Sequence, residues 1–339
     1  MTPAEIVRKL VERKDLSSRE ASDFLGGVMD GSVSPTMTAA ILTALRMKGE
    51  STNEVVGFVS AMRAHMVKVS APGAMDVVGT GGDGSNTFNV STTAAFVVAG
   101  AGVFVAKHGN RAASSKCGSA DVLEALGVNI QLSKEQAETV FKKVGFVFML
   151  APLFHPSTKN VAAVRKELKI RTIFNVLGPL ANPAGTTVQL TGVPDEASAK
   201  RLASVAAKLG YKRNLLVTCA GMDEVGLNTP TVAYEVKGTK VRRFSINPRQ
   251  LGFKKVPPKT LLGGDAKENA AILEAILKGE KGPRRDMVVL NSACALYTAG
   301  KARTIREAIP LAIHSIDSGA AYGILSSLRR ETQKLAQNA

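Results

Sequence analysis

The 339-residue sequence contains no tryptophan and only four tyrosines. A surface that stacks unpaired bases on interleaved aromatic rings has little to work with here. Cysteine is also scarce: Cys117, Cys219 and Cys294 are widely spaced and form no CxxC pair. That argues against a disulfide framework and a thiolate zinc site, and for a reducing cytoplasm. No apolar run reaches the ~20 residues of a membrane span. The longest, such as TAAFVVAGAGVFVA, are cut by glycine. The opening MTPAEIVRKLVERK is charged and amphipathic, unlike a secretory signal. Acids are the last shortage. Against 44 Lys and Arg stand 28 Asp and Glu, a net charge of +16. The bases are scattered, with small clusters at Arg242–Arg243, Lys254–Lys255 and Lys281 to Arg285. Such an excess attracts anions. With no basic tail and few rings, a small phosphorylated substrate is expected ahead of nucleic acid.

What is present suits a globular chain: 45% hydrophobic and 21% charged residues. The length allows one large domain or two ordinary ones. The first stretch reads as helices only. Thr2-Pro3-Ala4-Glu5 has capping-box spacing, Ser34-Pro35 opens a helix that runs to Gly49, and Ser51-Thr52-Asn53-Glu54 opens another. Ser18 to about Met29 is a further candidate. From Gly73 short apolar strands alternate with helices. Strands are expected at Met75–Val78, Val103–Ala106, Phe146–Met149, Leu215–Thr218 and Val232–Val236. Helices are expected near 91–99, 120–126 and 133–144. This alternation predicts an α/β fold with a mostly parallel central sheet. The expected organisation is a small helical domain, residues 1–72, beside a large α/β domain, residues 73–339. A helical and turn-rich segment at about 160–185 interrupts the alternation and is expected to join the helical domain.

Three motifs carry chemistry. In DVVGTGGDGSNTFNVST, residues 76–92, four glycines follow a strand and precede a helix. Bare amides and a helix N-terminus make a seat for phosphate. Asp83, Thr87, Asn89, Ser91 and Thr92 add groups for phosphate, a sugar hydroxyl or a hydrated metal. No Gly-Lys-Ser/Thr follows, so this is not a Walker loop. Gly79, Gly81 and Gly84 match the dinucleotide spacing, but the ribose-binding acid expected about 20 residues on is missing. KHGNRAASSKCGSADVLEALG, residues 107–127, places Lys107, His108, Asn110 and Arg111 at the end of the next strand. Ser114, Ser115 and Ser119 then lead into a helix. The third motif is Asp223-Glu224 between Gly221 and Gly226, after the apolar LLVTCA. Adjacent carboxylates on such a turn suit Mg2+, which keeps waters and shares substrate phosphates. Arg165, in the helix after His155-Pro156, reads on its own as a surface residue.

Together, GTGGDGSNTFNVST, KHGNRAASSKCGSADVLEALG, FHPSTKNVAAVRKELKIRTIFNVLGPLANPA and GMDEVGL resemble the anthranilate phosphoribosyltransferase family. The resemblance spans essentially the whole chain and implies a nucleoside phosphorylase/phosphoribosyltransferase-like fold. It also implies a homodimer that moves the phosphoribosyl group of 5-phosphoribosyl 1-pyrophosphate onto anthranilate in tryptophan biosynthesis. Carried onto matching positions, Gly79, Gly82, Asp83, Thr87, Asn89, Val90, Ser91 and Thr92 would hold the pyrophosphate donor. Lys107, His108, Gly109, Asn110 and Arg111, then Ala112, Ala113, Ser114, Ser115 and Ser119, would complete that site. Ser91, Asp223 and Glu224 would bind two Mg2+ ions, and Gly79, Asn110 and Arg165 would contact anthranilate. The chemistry needs no covalent nucleophile. His108 is the candidate for removing the amine proton, and anthranilate's own carboxylate is the alternative. The other readings of the chain are a pyrimidine nucleoside phosphorylase-like enzyme, which would not need Asp223-Glu224, and an inactive relative that binds nucleic acid.

Overall fold

The computed structural model describes residues 1–112 and 116–337. Four helices come first: α1 (Pro3–Val11), α2 (Ser18–Met29), α3 (Pro35–Lys48) and α4 (Thr52–Ala64). Their starts follow from short polar side chains that accept the orphan amides of the first turn. Thr2 with Glu5, Ser17 with Glu20 and Ser51 with Glu54 form complete capping boxes. The Glu54 carboxylate is wholly buried and also accepts from Leu16 N–H at 2.9 Å, which fixes α4 against the turn before α2.

The α/β part continues as β1 (Met75–Gly79), α5 (Val90–Gly100), β2 (Val105–Gly109), α6 (Ser119–Ala125), α7 (Lys134–Val144) and β3 (Phe146–Leu150). After β3 come three helices, α8 (Ala151–Phe154), α9 (Lys159–Leu168) and α10 (Phe174–Leu177). The chain returns through β4 (Val188–Gly192), α11 (Glu196–Lys208), β5 (Arg213–Thr218), β6 (Thr231–Lys237) and β7 (Lys240–Ile246). It ends with α12 (Ala266–Leu277), α13 (Pro283–Thr298), α14 (Ile305–Asp317) and α15 (Ala320–Gln337). No helix among the described residues is long and apolar enough to cross a membrane.

The sheet order is β3-β2-β1-β4-β5-β6-β7. β3 through β5 are parallel; β6 and β7 form an antiparallel edge. Helix α5 is apolar on nearly every side and almost entirely buried, as such a pattern requires, and α13 is almost entirely buried as well. Phe96 of α5 stacks on Phe146 of β3 with ring centroids 4.6 Å apart. A second apolar cluster gathers α1–α4 with Val161 and Val164 of α9 and with Phe174 and Leu177 of α10. One face of α11 and residues of β5 and β6 contribute to it as well. Arg63 of α4 donates to the Leu180 carbonyl at 2.9 Å, tying these helices to the turn before β4.

Among the elements that the periodicity in the sequence misses are β4, β7 and α11. β4 carries Gln189 and Thr191, which look wrong for a central strand. Both are wholly buried, because Gln189 donates to the Pro179 carbonyl and Thr191 to Asn214 Oδ1. β7, KVRRFSI, is basic and exposed, as an edge strand can be. α11 also lies outside the expected pattern. One boundary is corrected: the strand expected at 103–106 runs from Val105 to Gly109. Val103 instead donates to the Val98 carbonyl and closes the turn after α5. Lys107 and His108 are therefore strand residues rather than loop residues.

Candidate active site

β1 neighbours both β2 and β4: the chain steps from β1 to β2 on one side and, after β3, crosses back to β4 on the other. The carboxyl ends of β1 and β4 are thus the switch point where open α/β sheets place a ligand crevice. The glycine loop leaves β1 here. Gly81, Gly82 and Gly84 have φ of +66°, +67° and +74°, the left-handed region that glycine alone enters without strain. Asn86 joins them at +53°. The loop then feeds the N-terminus of α5. From the other side, Phe88 and Asn86 are bound to the segment before α12: Phe88 N–H donates to the Leu261 carbonyl, and Gly263 N–H to that of Asn86.

The Asp223-Glu224 turn after β5 folds onto this loop. Gly81 N–H donates to Asp223 Oδ2 at 2.7 Å. Asp223 N–H donates to Asp83 Oδ2 at 3.2 Å, and Ser91 N–H to Glu224 Oε1 at 3.1 Å. A carboxylate of the chain thus already occupies an amide of the expected phosphate seat. Asp223 and Glu224 are each only 9% exposed. Burial pushes the Asp223 carboxyl up to about 6, with the Asp83 charge adding to the effect. Burial and neighbouring Asp223 raise Glu224 well above the usual range. Two buried acids beside a third make an oxygen-rich and electron-rich corner that suits a hard divalent cation. Among the described residues, no three His, Cys, Asp or Glu side chains form a closed metal cage. An open set is what Mg2+ shared with a phosphorylated substrate requires.

Two glycines make this meeting possible. Gly79 ends β1 and Gly192 ends β4, directly opposite in the ladder. A Cβ on Gly79 would lie 2.4 Å from Asp223 Oδ2. One on Gly192 would lie 1.6 Å from the Asp223 carbonyl oxygen. Gly192 stands in none of the three motifs. Its only sequence signal is a glycine at the end of a strand that the pattern does not reveal.

Lys107 is 2% exposed, and its Nζ donates to the Val77 carbonyl at 2.6 Å. Burial lowers its pKa, while Asp76, Glu224 and Asp223 raise it in that order. The buried ammonium faces the acidic corner from inside the sheet. His108 is also buried. Its Nδ1 lies 3.2 Å from the Gly178 carbonyl, which makes Nδ1 the protonated nitrogen, and among the described residues its Nε2 has no partner. Burial, with His155 at a centroid distance of 5.1 Å, drives the His108 pKa down to about 3. It is neutral throughout the working range. His155 is structural, its Nε2 bonding the Ala181 carbonyl at 2.9 Å.

The loop after β2 is held from α6. Asp121 accepts from Ala112 and Gly118 N–H groups, both at 2.8 Å. Gly109 leaves room for Ser119, whose Oγ donates to the Asn110 carbonyl at 3.4 Å. Arg111 turns outward onto α6 and pairs with Asp121 and Glu124. Both acids lie on α6, so the side chain is held against that helix. Ala113, Ser114 and Ser115 lie outside the described residues. Among the described residues the buried Asn89 Oδ1 has no partner, Thr87 bridges to Leu262, and Val90 and Thr92 are buried in the first turn of α5. Arg165 is exposed on α9, its guanidinium 5.1 Å from the Phe174 ring centre. Among the described residues no hydrogen bond joins it to Gly79 or Asn110. A cavity of about 450 Å3 lies elsewhere, against β7 and the start of α14, and contains none of these residues.

Residues 71–322 match the model of the glycosyl transferase family, a/b domain, and residues 4–66 match that of the family's helical bundle domain. An anthranilate phosphoribosyltransferase of Thermomicrobium roseum is 49% identical over 339 residues, covering 98% of this chain and 97% of that one. A crystal structure of anthranilate phosphoribosyltransferase from Thermus thermophilus superposes with a TM-score of 0.91 at 40% identity, covering 97% of this chain and 99% of that one. The Saccharomyces cerevisiae enzyme in complex with PRPP and Mg gives 0.89 at 29% identity, covering 98% of both. With both family models matched in turn along the chain and a relative 49% identical over nearly its whole length, the chain belongs to the anthranilate phosphoribosyltransferase family of glycosyl transferases.

Proposed function

We propose that the chain transfers the phosphoribosyl group of 5-phosphoribosyl 1-pyrophosphate to the amine of anthranilate, as a step of tryptophan biosynthesis. The observation that carries this reading is the convergence of glycine loop, α5 N-terminus and buried Asp223-Glu224 at one switch point. The loop amides and the α5 N-terminus receive the pyrophosphate oxygens, helped by Ser91 and Thr92 in the first turn of that helix. Lys107 adds a buried positive charge. Asp223, Glu224 and Ser91 would hold two Mg2+ ions, which neutralise charge on the departing pyrophosphate when bound.

The C1–O bond breaks with its electron pair going to pyrophosphate. The amine lone pair then forms the C1–N bond, and one amine proton must leave. His108 does not accept it readily, because a nitrogen with a pKa of about 3 is a weak base. Its fixed Nδ1–H tautomer instead leaves Nε2 as a neutral acceptor. The anthranilate's own carboxylate is the alternative base. Gly79, Asn110 and Arg165 position the anthranilate, and Thr87, Asn89 and the 107–119 segment position the donor. Pyrophosphate release equal to anthranilate consumed tests the reaction. Phosphorolysis of a pyrimidine nucleoside with no use of anthranilate would point to the phosphorylase alternative.

Arginine's planar fork suits the benzoate of anthranilate better than a point charge does. Arg165→Ala is expected to raise the KM for anthranilate roughly ten- to a hundredfold, the worth of a charge-assisted contact. The KM for the donor should change much less. Equal losses for both substrates would indicate a folding or hinge effect, and no loss for anthranilate would remove Arg165 from the site.

We further take residues 1–72, joined by about 160–185, as one unit and 73–339 as the other. The cluster shared by α1–α4, α9 and α10 supports that division. Val11 on α1 and Met47 on α3 are 70% and 79% exposed, an apolar surface that a second copy would cover. The expected assembly is a homodimer through these helices. Light scattering at micromolar concentration should give twice the chain mass; a single-chain mass would count against it.

A further inference from the structure

We infer that Arg171 is a binding residue for the pyrophosphate end of the donor. The inference rests on the functional reading above. Arg171 lies in the turn between α9 and α10. The turn is rigid at its base. Lys169 closes α9 in the left-handed region at φ +52°, Thr172 N–H donates to Asn175 Oδ1 at 2.9 Å, and Thr172 and Ile173 are buried. From this root the Arg171 side chain crosses to the glycine loop. Its Nη1 donates to the Gly82 carbonyl at 2.7 Å.

That contact puts a guanidinium at the rim of the phosphate seat. The amides of Gly82 and its neighbours cradle the anion, so a phosphate held there lies beside Arg171. A guanidinium has five donors, and the Gly82 bond uses one. The others meet a charged oxygen more favourably than they meet water or a carbonyl. Local charge supports the same assignment. Asp83, Asp223 and Glu224 make the corner acidic, and an incoming pyrophosphate adds more negative charge. Arg111 is spent on Asp121 and Glu124, and Arg165 sits over Phe174. Lys107 faces the corner from within the sheet. Among the described residues Arg171 makes no ion pair, so its charge remains available at the open side. Arg165 and Arg171 therefore divide the two substrates between them, one for each, from a single segment.

The test compares Arg171→Gln, Arg171→Lys and the parent enzyme in steady-state kinetics, and measures pyrophosphate binding by calorimetry without anthranilate. Arg171→Gln should raise the donor KM and the pyrophosphate dissociation constant roughly ten- to thirtyfold, as for one charge-assisted bond. The anthranilate KM should stay within about twofold, and Arg171→Lys should recover part of the loss. Thermal melting separates unfolding from a lost contact. Unchanged pyrophosphate affinity overturns the inference, as does a rise confined to anthranilate or equal for both substrates. If the parent itself leaves anthranilate unconsumed, the functional reading fails, and the pyrophosphate titration still decides the role of Arg171.

Discussion

Glu224→Gln is expected to cut turnover by on the order of a hundredfold and to raise the Mg2+ concentration needed for half-maximal rate. Charge stabilisation by a bound metal is worth several kcal/mol, and about 2.7 kcal/mol corresponds to a hundredfold. The amide keeps the shape and can still accept from Ser91 N–H, but it loses the charge that holds the cation. Asp223→Asn should behave alike. Thermal stability should not follow activity. A carboxyl whose folded pKa is raised contributes stability below its unfolded pKa and loses it as pH rises through the folded value. For Asp223 that loss falls between the ordinary 3.8 and about 6. In Mg2+-free solution above about pH 6, the Asn and Gln variants should therefore melt no lower than the parent. Lowering the pH toward 6 should weaken Mg2+ binding in the parent, because protons compete for the same oxygens. Normal activity at limiting Mg2+ in both variants would show that these acids hold no metal.

Gly192→Ala should be nearly as damaging, although residue 192 touches no substrate in this account. Its added methyl would sit 1.6 Å from the Asp223 carbonyl oxygen and 2.5 Å from the carbonyl carbon. Both are backbone atoms, so no rotamer change relieves the clash. The turn carrying Asp223 and Glu224 must retreat from the glycine loop, breaking the bond from Gly81 N–H. A displacement of about 1 Å in a catalytic group can cost about a hundredfold in rate. The loss should appear mainly in kcat and in Mg2+ dependence. Gly323→Ala is the control. Gly323 lies in α15, where an added Cβ meets nothing within 4 Å. It should leave activity intact and gain up to about 1 kcal/mol of helix stability. Near-normal kcat in Gly192→Ala would mean that the turn's close seat on β4 is dispensable.

These two residues also show what a sequence can reveal. Glu224 is legible because adjacent acids between glycines have a chemical meaning in one dimension. The glycine loop is legible for the same reason, since left-handed φ values and bare amides require glycine locally. Gly192 is not legible. Its need for a missing side chain arises only when a turn well downstream folds back over it. Arg171 is hidden in the same way, a cation in a basic chain until the turn after α9 points it at Gly82. Lys107 is legible as a site residue but not as a strand residue. A lysine reads as surface, and its burial is tolerable only because the Val77 carbonyl and three acids meet the ammonium. β4 escapes notice because the hydrogen bonds that make Gln189 and Thr191 acceptable inside a sheet come from other segments.

The most direct test of the account follows anthranilate fluorescence in a solution of the pure chain. With 5-phosphoribosyl 1-pyrophosphate and Mg2+ both present, the signal should decay as the amine is ribosylated, with one pyrophosphate released per anthranilate lost. Chelating the Mg2+ should stop the decay, and restoring it should restart it. Fluorescence that stays constant with both reagents present, from a folded chain, would contradict the assignment.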